Sequence, residues 1–453
     1  MKNRLLLGLA SGLLVASCGS SGTFDKSSQI GADPVLPEAE QYLVPPFKVA
    51  EVVGWEEGEA PVAPAGFEVR AFASNLGGPR QMLPLDNGDV LVVETKGPGL
   101  EDPLRPKDFM MGWAMSMAHG SSGGEAPPTN QITLLRDADG NGIPEMRSVL
   151  VDDLFSPFGI AYADGTLYVA NTDAIVTYPF SPGQTHITAP PHVLTQLPGG
   201  PIDHHWTKDL ALGPDGTKLF ASVGSNSNIT ENGKEAEKGR AAIWEIDRQT
   251  GAAREFATGL RNPNGLTFYP GSDTLWTVVN ERDELGPNLV PDYMTSVRPG
   301  GFYGWPYSYY GQHVDRRVQP QRPDLVARAI KPDYALSSHV APLGLTFYTG
   351  GSFPEAYEGG AFIGEHGSWD RDHFNGYKVV FVPFADDGKP NGMAQDFLTG
   401  FLTGDGSTHG RPVGVAVDRT GALLVADDAG GTVWRVTPRG RTGGGNNPAQ
   451  DRS

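Results

Sequence analysis

The chain has 453 residues and a formal net charge of −18 at pH 7. That acidity excludes nucleic acid as a partner, because the electrostatic term would be repulsive, and it leaves room for bound cations. A single cysteine excludes an intrachain disulfide, and 60 glycines, 38 prolines and a charged fraction of only 19% point to many short strands rather than long helices.

The predicted elements begin with a targeting segment. Lys2 and Arg4 precede an apolar run over 5–14, and Val15-Ala16-Ser17-Cys18 closes it. A charged start, a short apolar stretch and small residues at the end form the pattern of a secretory signal. The V-A-S-C ending resembles a bacterial lipobox. It implies lipidation at Cys18 and a periplasmic lipoprotein held on a membrane, the outer membrane of a Gram-negative-type cell. The run 5–14 is too short to span a bilayer, and no later stretch reaches the roughly 18 apolar residues a span needs. The lipid is therefore the expected membrane contact. Residues 1–18 form this signal, and 19–65, rich in Ser, Gly, Pro and acids, read as a tether with some docking near its end. The polar segment 439–453 reads as a disordered tail.

Across 66–438 one phrase recurs: an apolar alternation, a D-G or G-x turn, and a second apolar run. Its copies lie at 79–93, 157–171, 207–222, 262–277, 341–348 and 411–426. Period-2 alternation about a tight turn is the hairpin signature. Six hairpins at roughly 50–80-residue spacing imply radial repetition, hence an all-β fold and a six-bladed β-propeller. A propeller grows by adding blades, so the length requires no second core. Loops at one end of all blades surround a single channel, where the residues that break the repeat are expected to meet.

Several such residues carry candidate chemistry. Residues 96–129 interrupt the first repeat with Gly, Pro and Met and read as a long surface or active-site loop. D-A-D-G-N-G-I-P-E at 137–145 begins like an EF-hand loop, but its twelfth position is Ser148, so it reads as a turn linking strands. P-I-D-H-H-W-T-K-D-L at 201–210 sets His204 and His205 between Asp203 and Trp206. Neutral His is the usual base near pH 7, and adjacent strand residues face opposite ways, so only one can reach the channel. Packing of the pair on Trp206 is the alternative. G-L-R-N-P-N-G-L at 259–266 offers Arg261 as a fork for carboxylates and Asn262 as donor and acceptor, or else ordinary Asn-Pro turn chemistry. The stretch 280–293 crowds Glu281, Asp283, Glu284 and Asp292 around Gly286 and Pro287, which suits either a Ca²⁺ loop or a solvated acidic loop. I-G-E-H-G-S-W-D-R at 363–371 brings Glu365, His366, Trp369 and Arg371 after a strand, and H-G-R-P at 409–412 puts Arg411 at the start of the last repeat. Cations converging on one channel of so acidic a chain suggest an anionic ligand.

The series H-H-W-T-K-D-L, L-R-N-P-N-G-L, N-E-R-D, Y-G-W-P, A-P-L-G-L, H-G-S-W-D-R and G-R-P-V-G-V resembles the soluble quinoprotein sugar dehydrogenases, most closely the sorbosone dehydrogenase-like or aldose sugar dehydrogenase group, over about 66–436. The resemblance implies a propeller holding pyrroloquinoline quinone (PQQ) and Ca²⁺ over its channel. It implies a sugar or sugar aldehyde as substrate and an external electron acceptor, a quinone or a cytochrome. The family's catalytic His falls on His205, five residues before Leu210, with His204 as runner-up. The Asp beside it is Asp203. The R-N-P-x-G pair falls on Arg261, as catalytic and cofactor-binding group, and on Asn262. The G-R motif falls on Arg411. Here the sequence departs: the second Arg of the glucose-oxidising members is Val413. The family's PQQ-contacting Lys has no clear counterpart, and Arg371 substitutes for it. The calcium loop of the glucose-oxidising members uses Gly and Pro carbonyls; here the aligned stretch is nearer Arg282-Asp283-Glu284, so carboxylates enter, and Asp283, Glu284 and Asp292 are the expected calcium ligands. Two other functions compete with this one: a Ca²⁺-dependent lactonase-type hydrolase and a non-catalytic propeller that binds sugar or protein.

Overall fold

The computed structural model describes residues 25–40, 42, 48–98, 129–200, 205–369, 371 and 373–440. Among these, six sheets form a six-bladed β-propeller. The inner strands are Pro79–Pro84, Gly159–Ala163, Leu210–Leu212, Asn262–Phe268, Pro342–Phe347 and Pro412–Val417, opening blades 1 to 6 in chain order. Each pairs antiparallel with the strand that follows it. These pairs are the hairpins that the sequence repeats predict. Blade 6 takes its outermost strand from the other end of the chain: Phe67–Ala73 pairs with Thr432–Pro438 and closes the ring.

The ring is held by six wedges of apolar side chains, one between each pair of adjacent blades. The second strand of each blade shows why. In Leu275–Asn280, Leu275 and Val279 pack toward blade 3 while Trp276 and Val278 pack toward blade 5. Successive strand residues point to opposite faces, so a strand covered on both sides is apolar throughout.

Toward the axis the repeat is a glycine in blades 2, 4, 5 and 6, at Gly159, Gly265, Gly344 and Gly414. A Cβ at Gly344 would stand 2.2 Å from the carbonyl oxygen of Val413, so only glycine lets these strands approach. Blades 1 and 3 carry Gln81 and Asp209 instead. Gln81 Nε2 donates to Asp209 Oδ2 at 3.2 Å, and the backbone N–H of Leu266 in blade 4 donates to the same oxygen at 2.9 Å. Three blades, two of them not neighbours, are thus joined across the channel.

Residues ahead of the first blade also pack on the propeller. Ile30–Gly31 adds a fifth strand to blade 4, against Tyr334–Ser338. Further on, Val52 bridges Thr408, Val62 bridges Thr399, and Trp55 packs into the wedge between blades 5 and 6.

Candidate functional site

Every inner strand starts at the same face, and the loops between second and third strands return there. His205 precedes the inner strand of blade 3. Its Nδ1 lies 2.8 Å from the carbonyl oxygen of Ser225 and 3.0 Å from Ser225 Oγ. That hydroxyl spends its own proton on the carbonyl of Ser227 at 2.6 Å. Both Ser225 oxygens therefore face Nδ1 as acceptors, which assigns the ring proton to Nδ1 and the lone pair to Nε2. A Cβ at Gly224 would come within 2.5 Å of His205 Cβ and 2.4 Å of Asn262 Oδ1, so this glycine is what brings His205 and Asn262 together. Asp203 and His204 lie outside the described residues, as do Cys18, 99–128 and 441–453.

Arg261, just ahead of blade 4, is buried. Its Nη1 donates to the carbonyl of Glu281 at 2.6 Å, and its Nη2 donates to Asn228 Oδ1 at 3.1 Å and Asp283 Oδ2 at 2.9 Å. The other Asp283 oxygen lies 3.2 Å from Nδ1 of His339, whose Nε2 is 3.2 Å from the carbonyl oxygen of Gly286. Burial pushes the Asp283 carboxyl up, but Arg261, His339 and nearby His205 outweigh it and hold it at about 2. Around this group three buried atoms lack a hydrogen-bond partner among the described residues: Arg261 Nε, Asn262 Oδ1 and Asn264 Oδ1.

Arg411 heads blade 6 across the mouth. Its guanidinium donates to the carbonyls of His366 and Gly367, both at 3.0 Å, and lies 5.2 Å from the ring centre of Tyr377. His366 Nε2 is 3.0 Å from both oxygens of Asp428, and Arg80 of blade 1 meets Asp428 at 2.6 Å. Burial, with help from Arg411, lowers His366 to about 4. Arg80 and His366 outweigh the burial of Asp428 and hold it well below the usual carboxylate range. The Arg80 guanidinium lies 5.4 Å from the ring centre of Trp206, next to His205, so Trp206 joins the two sides. Arg371 donates to the carbonyl of Ser338 and to Asn288 Oδ1, both at 2.9 Å.

The expected calcium ligands are not brought together. Asp283 serves Arg261 and His339, while Glu284 pairs with Arg317 at 3.2 Å. Asp292 accepts the backbone N–H groups of Glu281 and Ala341, both at 2.8 Å, and burial raises it to about 6. Among the described residues, three carboxylates with oxygens within 4.8 Å of one another occur at Asp137, Asp139 and Glu145. There they accept backbone N–H groups of Ala138, Asn141 and Gly142, in the turn between the third and fourth strands of blade 1.

His339 and Asp428 were not foreseen. His339 stands two residues before the A-P-L-G-L repeat, near the place that His205 holds before its own strand, and that parallel was the available signal.

Fold and site define a propeller with a basic, histidine-bearing mouth over a single bridged channel. The chain belongs to the glucose/sorbosone dehydrogenase family, whose model matches residues 160–368, and a TrAA12-like model matches 320–439. An uncharacterized protein of Borreliella burgdorferi is 30% identical over 62% of this chain and 76% of its own length. The pyrroloquinoline quinone-dependent pyranose dehydrogenase of Coprinopsis cinerea is 25% identical over 66% of this chain, which spans only 48% of that protein. The holo form of that organism's pyranose dehydrogenase PQQ domain superposes with a TM-score of 0.66 at 22% identity, covering 83% of this chain and 97% of that one.

Proposed function

We propose that this chain is a PQQ-dependent dehydrogenase of an aldose or related sugar or sugar aldehyde, with His205 as general base. The observation that carries this reading is the fixed Nδ1–H of His205 beside buried Arg261 and Asn262, whose Nε and Oδ1 lack hydrogen-bond partners among the described residues. A buried polar atom without a partner is costly, and a polar ligand over the mouth would satisfy it. Arg411 adds a cation that donates to carbonyl oxygens. These residues fit PQQ, which carries three carboxylates. Arg261, Asn262, Arg411 and Arg371 would hold it.

When bound, PQQ would supply an ortho-quinone able to accept a hydride. The chain's own part is to hold the sugar hydroxyl at Nε2 of His205 and take its proton there while Nδ1–H stays on Ser225. Asp283 and His339 keep Arg261 aimed across the mouth. Val413 is fully buried, with its carbonyl against Gly344, so anion binding falls to Arg261 and Arg411. Asp283, Glu284 and Asp292 do not fit a calcium ion in this arrangement, and no step here uses one. Electrons would leave to an external quinone or cytochrome, which suits a periplasmic protein anchored by lipid at Cys18.

A non-catalytic propeller is the second reading. It is favoured by one fact: Arg261 and Arg80 are already neutralised by Asp283 and Asp428. Reconstitution separates the two. Purified chain is titrated with PQQ, with and without Ca²⁺, and dye reduction is followed on aldoses, sorbosone and sugar alcohols. Turnover that requires PQQ supports the dehydrogenase; absence of PQQ binding overturns it.

A further inference from the structure

Gln29 lies ahead of the first blade, at the end of the short turn Lys26–Gln29, in a segment whose sequence reads as tether. It is nevertheless fully buried. Its Oε1 accepts a hydrogen bond from Ser338 Oγ at 3.1 Å, and its Nε2 donates to the carbonyl of Asn288. A carbonyl needs a donor, which fixes the orientation of the amide.

Asn288 and Ser338 are the same two residues that hold Arg371. Arg371 Nη2 donates to Asn288 Oδ1 and Nη1 to the carbonyl of Ser338, both at 2.9 Å. The four residues close a ring: Gln29, Asn288, Arg371, Ser338. Ser338 adjoins His339, whose imidazole meets Asp283, so the ring stands one residue from the group around Arg261. The segment is pinned on either side of Gln29. Ile30 and Gly31 pair with Leu336 and Ala335, Leu36 packs on the wedge between blades 3 and 4, and Glu40 N–H donates to the carbonyl of Leu285 at 2.9 Å.

We propose that Gln29 is a positioning residue, which locks Asn288 and Ser338 and so seats Arg371 at the face of the propeller where the inner strands begin. The consequence for PQQ affinity rests on the dehydrogenase reading; the seating of Arg371 does not. Neither apolar packing nor strand pairing requires a buried glutamine here. Its two polar ends meet two groups that the chain must otherwise leave partly unsatisfied.

The test uses the full chain in two parts. Hydrogen–deuterium exchange is measured without cofactor on the parent and on Gln29→Met, which keeps the size and removes both hydrogen bonds. Exchange over 285–290 and 337–339 should rise by about tenfold, the equivalent of one lost hydrogen bond or so. Exchange in blades 1 and 2 should not change. Ser338→Ala removes the Oγ contact alone and should give a smaller rise in the same segments; it also serves if Gln29→Met does not fold. Unchanged exchange at both segments overturns the proposal. PQQ titration follows on Gln29→Met, Arg371→Gln and the double variant. The double variant should bind no more weakly than Arg371→Gln alone, because both act through one guanidinium. Losses that multiply in full overturn the proposal. Failure of the parent to bind PQQ counts against the dehydrogenase reading, and the exchange result then still decides the role of Gln29.

Discussion

The two sides of the channel mouth are built from the same parts. On the side of blades 3 and 4, Asp283 joins Arg261 and His339; on the side of blades 5, 6 and 1, Asp428 joins Arg80 and His366. In both, a buried carboxylate is held ionised by an arginine and a histidine. They differ in what surrounds them. Beside Asp283 stand His205 with a fixed tautomer and three buried polar atoms lacking a partner among the described residues. Beside Asp428 the guanidinium of Arg80 also reaches the carbonyl of Thr95, and Arg411 reaches two more carbonyls. On the Asp428 side the guanidinium donors end on backbone carbonyls, while on the Asp283 side Arg261 keeps a buried Nε–H, and Asn262 and Asn264 each keep a buried oxygen, without a partner among the described residues. Identical chemistry thus serves as scaffold on one side and as candidate reaction centre on the other.

The sharpest test of that contrast is His205→Ala. Loss of a general base should lower kcat by about 10²–10⁴-fold, with PQQ affinity changing far less. Single-turnover dye reduction and a cofactor titration on the same sample check both halves. Full activity in the variant would mean that the base lies elsewhere. Next come the two aspartates. Asp283→Asn leaves the buried Arg261, and Asp428→Asn the largely buried Arg80, without its counter-charge, which typically costs about 3–5 kcal/mol. Denaturant melts should show similar losses for both. Only Asp283→Asn should also impair turnover, because Arg261 lies on the open side; equal effects on turnover would erase the distinction between the trios.

How much of this was legible follows from burial. The inner hairpins could be read because their second strands are covered on both faces and their turns carry D-G or G-x. The outer strands could not be read as well: Met146–Val151 is largely exposed along its first four residues and carries no clean period. The link from Phe67–Ala73 to blade 6 joins segments more than 350 residues apart, which no local pattern encodes. His205, Arg261 and Arg411 could be singled out as candidates because they break the repeat at the starts of inner strands. The carboxylates of 281–292 are crowded in sequence without converging in space. A strand alternates its faces, and Asp292 turns to cap backbone amides while Glu284 turns to Arg317. Crowding along a chain is weak evidence for a metal site unless the backbone curls its oxygens inward.

The buried acids make a further prediction. Burial raises Glu365 to about 8, Glu281 to about 7, and Asp209, Asp292 and Asp427 to about 6. Between their unfolded values near 4 and these folded values, the folded state holds more protons than the unfolded state. Stability therefore falls as pH rises from about 4.5 to about 8. Asp283, held at about 2, acts oppositely below about pH 4, and His366, lowered to about 4, acts oppositely between about pH 4 and 6.5, where the five raised acids together outweigh one imidazole. Melting temperature should decline across pH 5–8, and Glu365→Gln should flatten that slope, melting at least ~2 °C above the parent at pH 8. A parent curve that rises over this range would mean that these carboxyls are ionised in the folded protein.

The smallest effect tests the finest part of the comparison. Ser225 gives His205 two acceptors, and Ser225→Ala removes the hydroxyl while leaving the carbonyl at 2.8 Å. The tautomer should survive, since one acceptor remains for Nδ1–H, but the ring should be held less tightly. One neutral hydrogen bond is worth about 0.5–1.5 kcal/mol, so kcat should fall by no more than about tenfold with KM little changed. Ser225→Gly should match it, because the carbonyl is again retained. A loss as large as that of His205→Ala would mean that the hydroxyl itself, not the carbonyl, fixes the proton on Nδ1. No loss at all would mean that the carbonyl alone suffices, and that the open side of the mouth is organised by its backbone more than by its side chains.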